Sequence, residues 1–494
     1  MFTFRKNNSY LFLNLENLLF ITRNNYSTTQ HTTTELRNRR VPIQQTSNWI
    51  NQQKQNFQSH GNFSCRKRNM SSSGKTTQHF NIFDYDIIGF DLDCTLLRYN
   101  LQEMIPLEYT CLSNSLQRKG YPSDKLNQPL NLDFLQKGLI LDAFKGNVIK
   151  LDKNGTILKA FHGEAAISDE EIERIYGSER KWIASSEFIK NPMNTWNGPY
   201  AEQMRTLLDY FDIPISLVMS RAVASLNQTN PPSEYRVWDD ILAGLFEMYK
   251  RENFHDGSSE YFEALKNNPE KYLLKTDPKV IEWLKDLKEV KGKALFLLTG
   301  SDISFANFTA SYALGENWRD LFDSVVCYAK KPGFFVENDR PFFRVDLEKL
   351  EETEEIPRSE RLKYHTTYSQ GCWSTLKDLL KEKSGTSEPK TLYVGDNLIQ
   401  DVLCPARFAN MDTVAISEEM FVEGVPVKKE VKTVYNSVTS SSIWGSFYKL
   451  DDSETIWYDI IKKYSKICIP TIDYLVDLKQ LEDAQFYPSP PKTN

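Results

Sequence analysis

The stretch at residues 86–96 constrains this chain most, because an apolar strand pattern in it stops abruptly at two carboxylates. Ile-Ile-Gly-Phe occupies residues 87–90, and Asp91 and Asp93 follow it. An apolar run with β-branched residues is typical of a buried parallel strand. Ligands of open α/β sheets bind just beyond the carboxyl ends of such strands. The stretch therefore predicts two acids presented to a reacting group or a cation, although a helix cap or a solvated turn explains them equally well.

Composition places the chain among globular proteins and excludes several classes of function. Its 494 residues, 40% hydrophobic and 26% charged, suffice for a large α/β core with an inserted domain. The seven cysteines are scattered without a Cys-x-x-Cys pair, which argues against a disulfide framework or a zinc site and favours a reducing compartment. A net charge of −6 recruits no nucleic acid, and no uncharged run is long enough to span a bilayer. We therefore expect a small-molecule partner and no nucleic acid or membrane, while a homo-oligomer stays open.

Residues 1–80 differ in composition from the rest of the chain. They hold eleven Lys or Arg against two acids and are rich in Asn, Gln, Ser and Thr, so we expect a basic, disordered extension. Its start, with basic residues and a leucine stripe, resembles a mitochondrial presequence. Met70 offers a second translation start that would give a cytosolic product. The chain is therefore predicted to be either cytoplasmic or in the mitochondrial matrix, and residues 486–494 are predicted to form a disordered tail.

The region after Asp93 is predicted to leave the sheet and return to it. Residues 104–119 have helical spacing. Apolar residues on both sides of the Asn-Gly pair at 154–155 predict a β-hairpin, because Asn-Gly supplies the positive φ angles of a tight turn. Residues 168–250 look mostly helical, without a strong strand signal. We therefore expect a core at residues 81–119 and 271–485 and an inserted, mainly helical cap with a hairpin at residues 120–270.

A second apolar strand is predicted at residues 294–298. Thr299, Gly300 and Ser301 follow it directly. A hydroxyl beside a glycine, between a strand and a helix, is a phosphate-binding arrangement, because backbone N–H groups and the hydroxyl can point at one anion. A helix cap is the commoner explanation of any single site of this kind.

Two further strands are predicted to end in charged residues. Residues 321–328 lead into Lys331, which is either a solvated loop residue or an ammonium group that projects into the same crevice. Residues 391–394 deliver Asp396, and Asp401 lies a little more than one helical turn further on. Both carboxylates can therefore face one point, where oxygen ligands of this kind suit Mg²⁺.

The order of these groups resembles that of the haloacid dehalogenase-like phosphohydrolases. An acid pair, a hydroxyl, a lysine and a second acid pair each follow an apolar strand. Within that superfamily the chain is similar to the cytosolic purine 5′-nucleotidase family. The similar segments are GFDLDCTLLRYN at 89–100, GNVIKL at 146–151, KPGFF at 331–335 and YSQG at 368–371. The resemblance covers roughly residues 83–480, and it implies a Rossmann-like, doubly wound parallel sheet with an inserted cap.

The resemblance also implies a role for each catalytic group. Asp91 would be the nucleophile that forms an aspartyl-phosphate, and Asp93 would be the general acid and later the base that activates water. Lys331 is preferred to Lys330 as the lysine that neutralises phosphoryl charge, since the lysine of the family directly precedes Pro. The phosphoryl oxygens would be held by Thr299, Gly300, Ser301 and Lys331.

The metal expected from the resemblance is Mg²⁺. Its ligands would be the Asp91 carboxylate, the backbone carbonyl oxygen of Asp93 and the Asp396 carboxylate. Asp401 would serve as a further ligand or would support one.

Substrate recognition is predicted to depend on the cap. In purine nucleotidases of this family, a cap helix offers Arg, Asp and His to the nucleoside, and the matching helix here, at residues 235–250, lacks them. Phe246 and Tyr249 remain as candidates to stack on a base, with an ordinary place in the helix core as the favoured alternative.

Three functions stay open from the sequence. The leading one is a Mg²⁺-dependent phosphatase of a nucleoside 5′-monophosphate. The second keeps the chemistry and acts on another small phosphorylated metabolite. The third is a catalytically weak interaction module, against which the intact cluster of like charges argues.

Overall fold

The computed structural model describes residues 80–196, 198–229, 231–423 and 439–476. The predicted presequence, Met70 and the C-terminal tail lie outside these residues. Eighteen strands are present within them: β1 (Ile87–Phe90), β2 (Arg98–Tyr99), β3 (Leu139–Asp142), β4 (Asn147–Leu151), β5 (Ile157–His162), β6 (Ala165–Ala166), β7 (Met204–Leu207), β8 (Leu273–Leu274), β9 (Ala294–Leu298), β10 (Ser324–Cys327), β11 (Phe342–Asp346), β12 (Glu351–Glu355), β13 (Thr366–Gln370), β14 (Thr391–Gly395), β15 (Asp412–Ile416), β16 (Lys449–Leu450), β17 (Ser453–Glu454) and β18 (Ile467–Ile469).

Helices surround these strands, and no helix in the described part of the chain is long and apolar enough to cross a membrane. The longer α-helices are Leu101–Arg118, Asp169–Tyr176, Ile183–Lys190, Ile215–Thr229, Val237–Tyr249, Glu260–Asn267, Pro278–Lys285, Ile303–Leu314, Trp373–Ser384 and Ile456–Tyr464. Shorter α-helices are Ser123–Leu126, Met193–Trp196, Arg251–Asp256, Pro269–Tyr272, Gly333–Val336, Cys404–Phe408, Met420–Glu423 and Asp473–Val476. The 3₁₀-helices are Ile82–Asp84, Leu132–Phe134, Tyr210–Asp212 and Trp318–Leu321, and π-helical turns occur at Asp286–Val290 and Leu398–Leu403.

Nine strands form one large sheet in the order β12-β11-β13-β10-β9-β1-β14-β15-β18. All neighbours from β13 to β18 pair in parallel, whereas β11 pairs antiparallel with both β13 and β12. After β1, the chain forms β9, β10 and β13 on one side of β1. It then crosses to form β14, β15 and β18 on the other side. The predicted α/β class with a large parallel sheet is therefore confirmed, and the strand order is consistent with a Rossmann-like fold. The antiparallel edge was not predicted.

The register of the sheet positions the four predicted motifs at one edge. Strand β1 lies between β9 and β14, with Phe90 opposite Leu297 and Val394. Every residue of β1, β9, β10 and β14 is buried, as expected for parallel strands covered on both faces. Because these strands run in one direction, the residues that follow each of them meet at the same edge.

A second sheet is built from residues 100–272, which lie between β1 and β9 in sequence and are called here the intervening segment. Its five strands run in the order β6-β5-β4-β3-β7, and every pair is antiparallel. The predicted hairpin is confirmed as β4 and β5, with Gly155 at φ +81° in the turn. The short pair of β2 with β8 joins the two ends of the segment.

The helical expectation for residues 168–250 is correct for most of the region but wrong at β7. This four-residue strand has no clear alternation of apolar and polar residues. It pairs with β3, with Leu207 opposite Leu139. Its extended conformation therefore depends on a distant partner that local sequence does not indicate.

Candidate active site

Three buried carboxylates converge at the edge of the large sheet. Asp91 directly follows β1, Asp396 directly follows β14, and Asp401 lies in the π-helical turn Leu398–Leu403. Carboxylate oxygens of these three residues lie within 4.8 Å of one another. The predicted convergence of the first and fourth motifs is therefore present.

A glycine permits this close approach. A Cβ atom at Gly395 would lie 2.5 Å from the Cβ of Asp401, so any side chain there would displace the carboxylate. The Asn397 side chain accepts hydrogen bonds from the N–H groups of Ile399 and Gln400 and so begins the turn that returns Asp401 to the strand end. Such π-helical turns are frequent at functional sites.

Lys331 bridges two of the carboxylates. Its ammonium donates to Asp91 Oδ1 at 2.7 Å and to Asp401 Oδ1 at 2.7 Å, with all three side chains buried. Burial lowers the pKa of Lys331, but Asp401 and Asp91 raise it by more, so it lies well above its ordinary value. Burial also raises the pKa of Asp91, against the effect of Lys331. The arrangement keeps a positive charge beside Asp91.

Asp93 is held by three hydroxyl groups. Ser301 Oγ donates to Asp93 Oδ2 at 2.8 Å, and Thr299 Oγ1 donates to the same oxygen at 3.2 Å. Tyr99 donates its hydroxyl proton to Asp93 Oδ1 at 2.8 Å. Burial raises the pKa of Asp93, and these hydrogen bonds oppose the rise. Sequence analysis identified Thr299 and Ser301 but missed Tyr99.

The turn after β9 is ordered by its own hydrogen bonds. The N–H of Ser301 donates to Thr299 Oγ1 at 3.0 Å, and Asp302 caps the helix Ile303–Leu314 by accepting from the N–H of Ser304. The predicted helix cap and the predicted hydroxyl motif are thus both present, on neighbouring residues.

Lys137 is a charged residue of the site that the sequence did not indicate. It comes from the intervening segment, yet its ammonium donates to Asp396 Oδ2 at 3.0 Å and lies 4.4 Å from the centre of the Tyr210 ring. The adjacent Gly138, at φ +85°, packs so closely against Trp457 that a Cβ there would lie 2.4 Å from Trp457 Nε1. This packing fixes the position of the backbone beside Lys137. A single lysine before a strand carries no recognisable motif, so only the structure reveals it.

A cavity at this edge brings most of the predicted residues together with others, whereas Thr299 is fully buried and does not line it. Its lining comprises Asp91, Asp93, Asp209, Phe211, Asp212, Tyr249, Tyr261, Phe262, Gly300, Ser301, Asp302, Phe305, Lys331, Asp396, Asn397, Gln400 and Asp401. Asp209 and Asp212 were missed although Asp209 closely follows β7, because that strand itself was missed. Burial and then the charge of Asp396 raise the pKa of Asp209 to about 7.

Of the two aromatic residues predicted to meet a substrate, only Tyr249 is placed at the cavity. Phe246 is half-buried and does not line it. It precedes Tyr249 by three residues, which is about 4.5 Å along a helix axis, so the cavity meets the last turn of Val237–Tyr249 and not the turn before. The structure therefore places Tyr249 at this cavity and Phe246 away from it.

The donor set suits a hard divalent cation. Three carboxylates with oxygens within 4.8 Å of one another are the kind of ligand that Mg²⁺ prefers. The Asp93 carboxylate is engaged by hydroxyls and does not belong to this group. The sequence prediction assigns only the backbone carbonyl oxygen of Asp93 to the metal, so it does not need the carboxylate that the hydroxyls hold.

Comparison with known proteins identifies the family. A model of the 5′ nucleotidase family matches residues 76–438. The chain is 34% identical to human 5′-nucleotidase domain-containing protein 1 over 84% of this chain and 97% of that protein, and 35% identical to the Bos taurus protein of the same name over the same shares. It is 26% identical to human 5′-nucleotidase domain-containing protein 2, over 65% of this chain and 58% of that protein. The chain therefore belongs to the 5′ nucleotidase family.

Proposed function

We propose that the chain is a Mg²⁺-dependent phosphohydrolase that removes the phosphate of a nucleoside 5′-monophosphate through an aspartyl-phosphate on Asp91. One observation carries this proposal. A single cavity at the edge of the sheet is lined by Asp91, Asp93 and Lys331 together with the two acids that follow β14, Asp396 and Asp401. Family membership makes the chain a phosphoric monoester hydrolase, and the names of its relatives point to nucleotides as the substrate class.

Asp91 has the position expected of a nucleophile. It follows the carboxyl end of β1 and lines the cavity, and its Oδ1 accepts a hydrogen bond from the Lys331 ammonium at 2.7 Å. Attack of its carboxylate on phosphorus would break the phosphorus–oxygen bond of the leaving alcohol and form the aspartyl-phosphate. Lys331 would neutralise charge on the phosphoryl oxygens as this bond breaks.

Asp93 is suited to move the proton. Its carboxyl lines the same cavity and is oriented by hydroxyls on both oxygens, so it can protonate the leaving oxygen and later take a proton from the attacking water. In the second step, water would attack phosphorus, and Asp91 would leave as a carboxylate. Mg²⁺ bound to Asp91, Asp396 and Asp401 would stabilise negative charge on the phosphoryl group.

We also propose that the large sheet forms a haloacid dehalogenase-like core and that the intervening segment, residues 100–272, is its cap, which extends the cap predicted at residues 120–270 to include the helix Leu101–Arg118. The pairing of β2 with β8 supports this division, because the segment leaves and re-enters the core at one place. Residues from both parts line the cavity, so the phosphate would bind at the sheet edge and the leaving group against the segment.

A panel of phosphomonoesters tests the proposed function. Nucleoside 5′-monophosphates, sugar phosphates and p-nitrophenyl phosphate would each be incubated with the full chain, with Mg²⁺ and with a chelator. Metal-dependent hydrolysis that is fastest for a nucleotide is expected. Faster hydrolysis of a sugar phosphate would favour the metabolite phosphatase instead, and no hydrolysis of any ester would contradict the enzymatic proposal.

A further inference from the structure

Acidic side chains far outnumber basic ones in the lining of the cavity. Seven aspartates line it, against the single lysine Lys331. Lysines or hydroxyl groups hold four of these aspartates at the sheet edge, which are Asp91, Asp93, Asp396 and Asp401. A fifth, Asp302, caps a helix. The other two, Asp209 and Asp212, belong to the intervening segment, and neither forms an ion pair with a described residue. These two acids therefore lack a cationic partner.

Buried oxygen atoms on and behind the same walls have no hydrogen-bond partner among the described residues. The hydroxyl of Tyr261, a fully buried residue that lines the cavity, is one of them. Tyr249 donates its hydroxyl proton to Glu108 Oε1 at 3.0 Å, and the other carboxylate oxygen of Glu108 is the second. Buried polar groups are normally paired, so these oxygens indicate that a ligand completes the walls.

Aromatic rings form the rest of these walls. The rings of Tyr249 and Tyr261 meet at 75° with centroids 4.9 Å apart, and Phe211 meets Tyr249 at 84° with centroids 6.4 Å apart. Phe262 and Phe305, 5.2 Å apart, also line the cavity. Rings set at such angles can present their electron-rich faces to a ligand from several sides, and these faces attract cations.

Resting on the proposed phosphohydrolase activity, we propose that the leaving group of the substrate carries a permanent positive charge, held between the aromatic rings and the carboxylates of Asp209 and Asp212. Two classes of phosphomonoester share this chemistry. One is a nucleotide whose base is N-alkylated and therefore cationic, and the other is the phosphate ester of a quaternary amino alcohol. In either class the phosphate would bind at the sheet edge and the cation against the intervening segment.

The ionisation of the two acids supports a cation at this place. Burial raises the pKa of Asp209 to about 7, and burial raises that of Asp212 well above its ordinary value. A cation between them would lower both pKa values again. Binding of the cation and ionisation of the two carboxyl groups therefore favour each other.

Two pairs of substrates that differ in charge but not in shape test the proposal. The first pair is 7-methylguanosine 5′-monophosphate and its neutral 7-deaza analogue, in which carbon replaces the charged nitrogen. The second is phosphocholine and its neutral carbon analogue, 3,3-dimethylbutyl phosphate. The full chain with Mg²⁺ would be assayed in mildly acidic buffer, where the methylated base keeps its charge. We expect kcat/KM to be roughly tenfold or more higher for the cationic member of at least one pair.

Two variants test whether the named side chains produce this preference. Asp212→Asn keeps the shape of the side chain and removes its charge, and it should lower the ratio of kcat/KM within the preferred pair roughly fivefold or more. Phe211→Leu removes one ring and should lower the ratio by about threefold. Asp239→Asn is the matched control, because Asp239 is exposed and does not line the cavity, so its ratio should equal that of the wild type. A ratio within a pair does not depend on the fraction of folded protein.

The outcomes separate this proposal from the proposed function. Hydrolysis of nucleotides with equal kcat/KM within both pairs, or an unchanged ratio in Asp212→Asn, would overturn the cationic leaving group and leave the nucleotidase intact. Preference for phosphocholine without hydrolysis of any nucleotide would support the cationic leaving group and overturn the nucleotide assignment. No hydrolysis of any ester, p-nitrophenyl phosphate included, would overturn both.

Discussion

The ammonium of Lys137 lies 3.0 Å from a carboxylate oxygen of Asp396, and both side chains are buried. This ion pair joins the intervening segment to the edge of the large sheet at the group of carboxylates proposed to hold the metal. The positive charge of Lys137 therefore lies beside the Asp396 carboxylate before any divalent cation binds.

Lys137→Met should destabilise the fold and make it more dependent on Mg²⁺. Removal of one partner from a buried pair leaves an uncompensated charge and costs about 3 kcal/mol. A divalent cation at Asp396 would replace the missing charge, so saturating Mg²⁺ should raise the thermal midpoint of the variant by more than it raises that of the wild type. Thermal unfolding with Mg²⁺ and with a chelator measures both effects.

Lys150→Met is the matched control for this effect. Lys150 is also buried, but its ammonium donates to Gln136 Oε1 at 2.7 Å and to the carbonyl oxygens of Trp444 and Ser446 at 3.0 and 2.6 Å. Its loss leaves acceptors unsatisfied and should destabilise the fold by a similar amount, yet Mg²⁺ should give this variant no extra stabilisation. An equal response of both variants to Mg²⁺ would refute the link between Lys137 and the metal.

Gly138→Ala should be far more destabilising than Gly120→Ala. Both glycines have positive φ, +85° and +96°, so both substitutions carry backbone strain of about 1 kcal/mol. Only at Gly138 does the added Cβ meet another atom, 2.4 Å away in Trp457, and overpacking of that kind costs about 1–3 kcal/mol more. Urea unfolding of the two variants measures the difference. Equal free energies of unfolding would show that Trp457 does not hold Gly138 in place.

Tyr99→Phe should affect hydrolysis in a way that depends on the leaving group. Tyr99 donates to Asp93 Oδ1 at 2.8 Å and so orients the proposed general acid. A nucleoside alcohol needs a proton as it leaves, whereas p-nitrophenolate leaves readily without one. We expect kcat/KM to fall roughly tenfold for a nucleotide and by about twofold or less for p-nitrophenyl phosphate.

Tyr176→Phe controls for a structural effect. The hydroxyl of this buried tyrosine also donates to a carboxylate, Asp142 Oδ2 at 2.9 Å, but Tyr176 does not line the cavity. Its loss should change kcat/KM for the two substrates by the same factor. If Tyr99→Phe also reduces kcat/KM by the same factor for both substrates, Tyr99 has no specific role in positioning Asp93.

Much of the sheet edge was predictable from the sequence, because each group there follows a strongly apolar strand. Asp91, Thr299, Lys331 and Asp396 could be assigned to one edge, since parallel strands align their carboxyl ends. The π-helical turn that returns Asp401 to this edge is also local in sequence, within six residues of the strand.

The residues that the sequence did not reveal are those whose place depends on distant contacts. Lys137 reaches Asp396 next to Gly138, which packs against Trp457, a residue more than 300 positions away in the chain. Asp212 reaches the cavity because β7 pairs with β3. Helical spacing gives the face of a residue but not which turn of the helix meets a cavity, so it could not show that Tyr249 lines the cavity and Phe246 does not.

The most direct test of the central claim compares the wild type with Asp91→Asn on nucleoside 5′-monophosphates in Mg²⁺. The variant keeps the shape of the side chain and removes the proposed nucleophile. Its turnover should therefore fall roughly a thousandfold or more while its thermal midpoint stays near or above that of the wild type. A variant that hydrolyses nucleotides at a rate close to that of the wild type would contradict catalysis through an aspartyl-phosphate on Asp91.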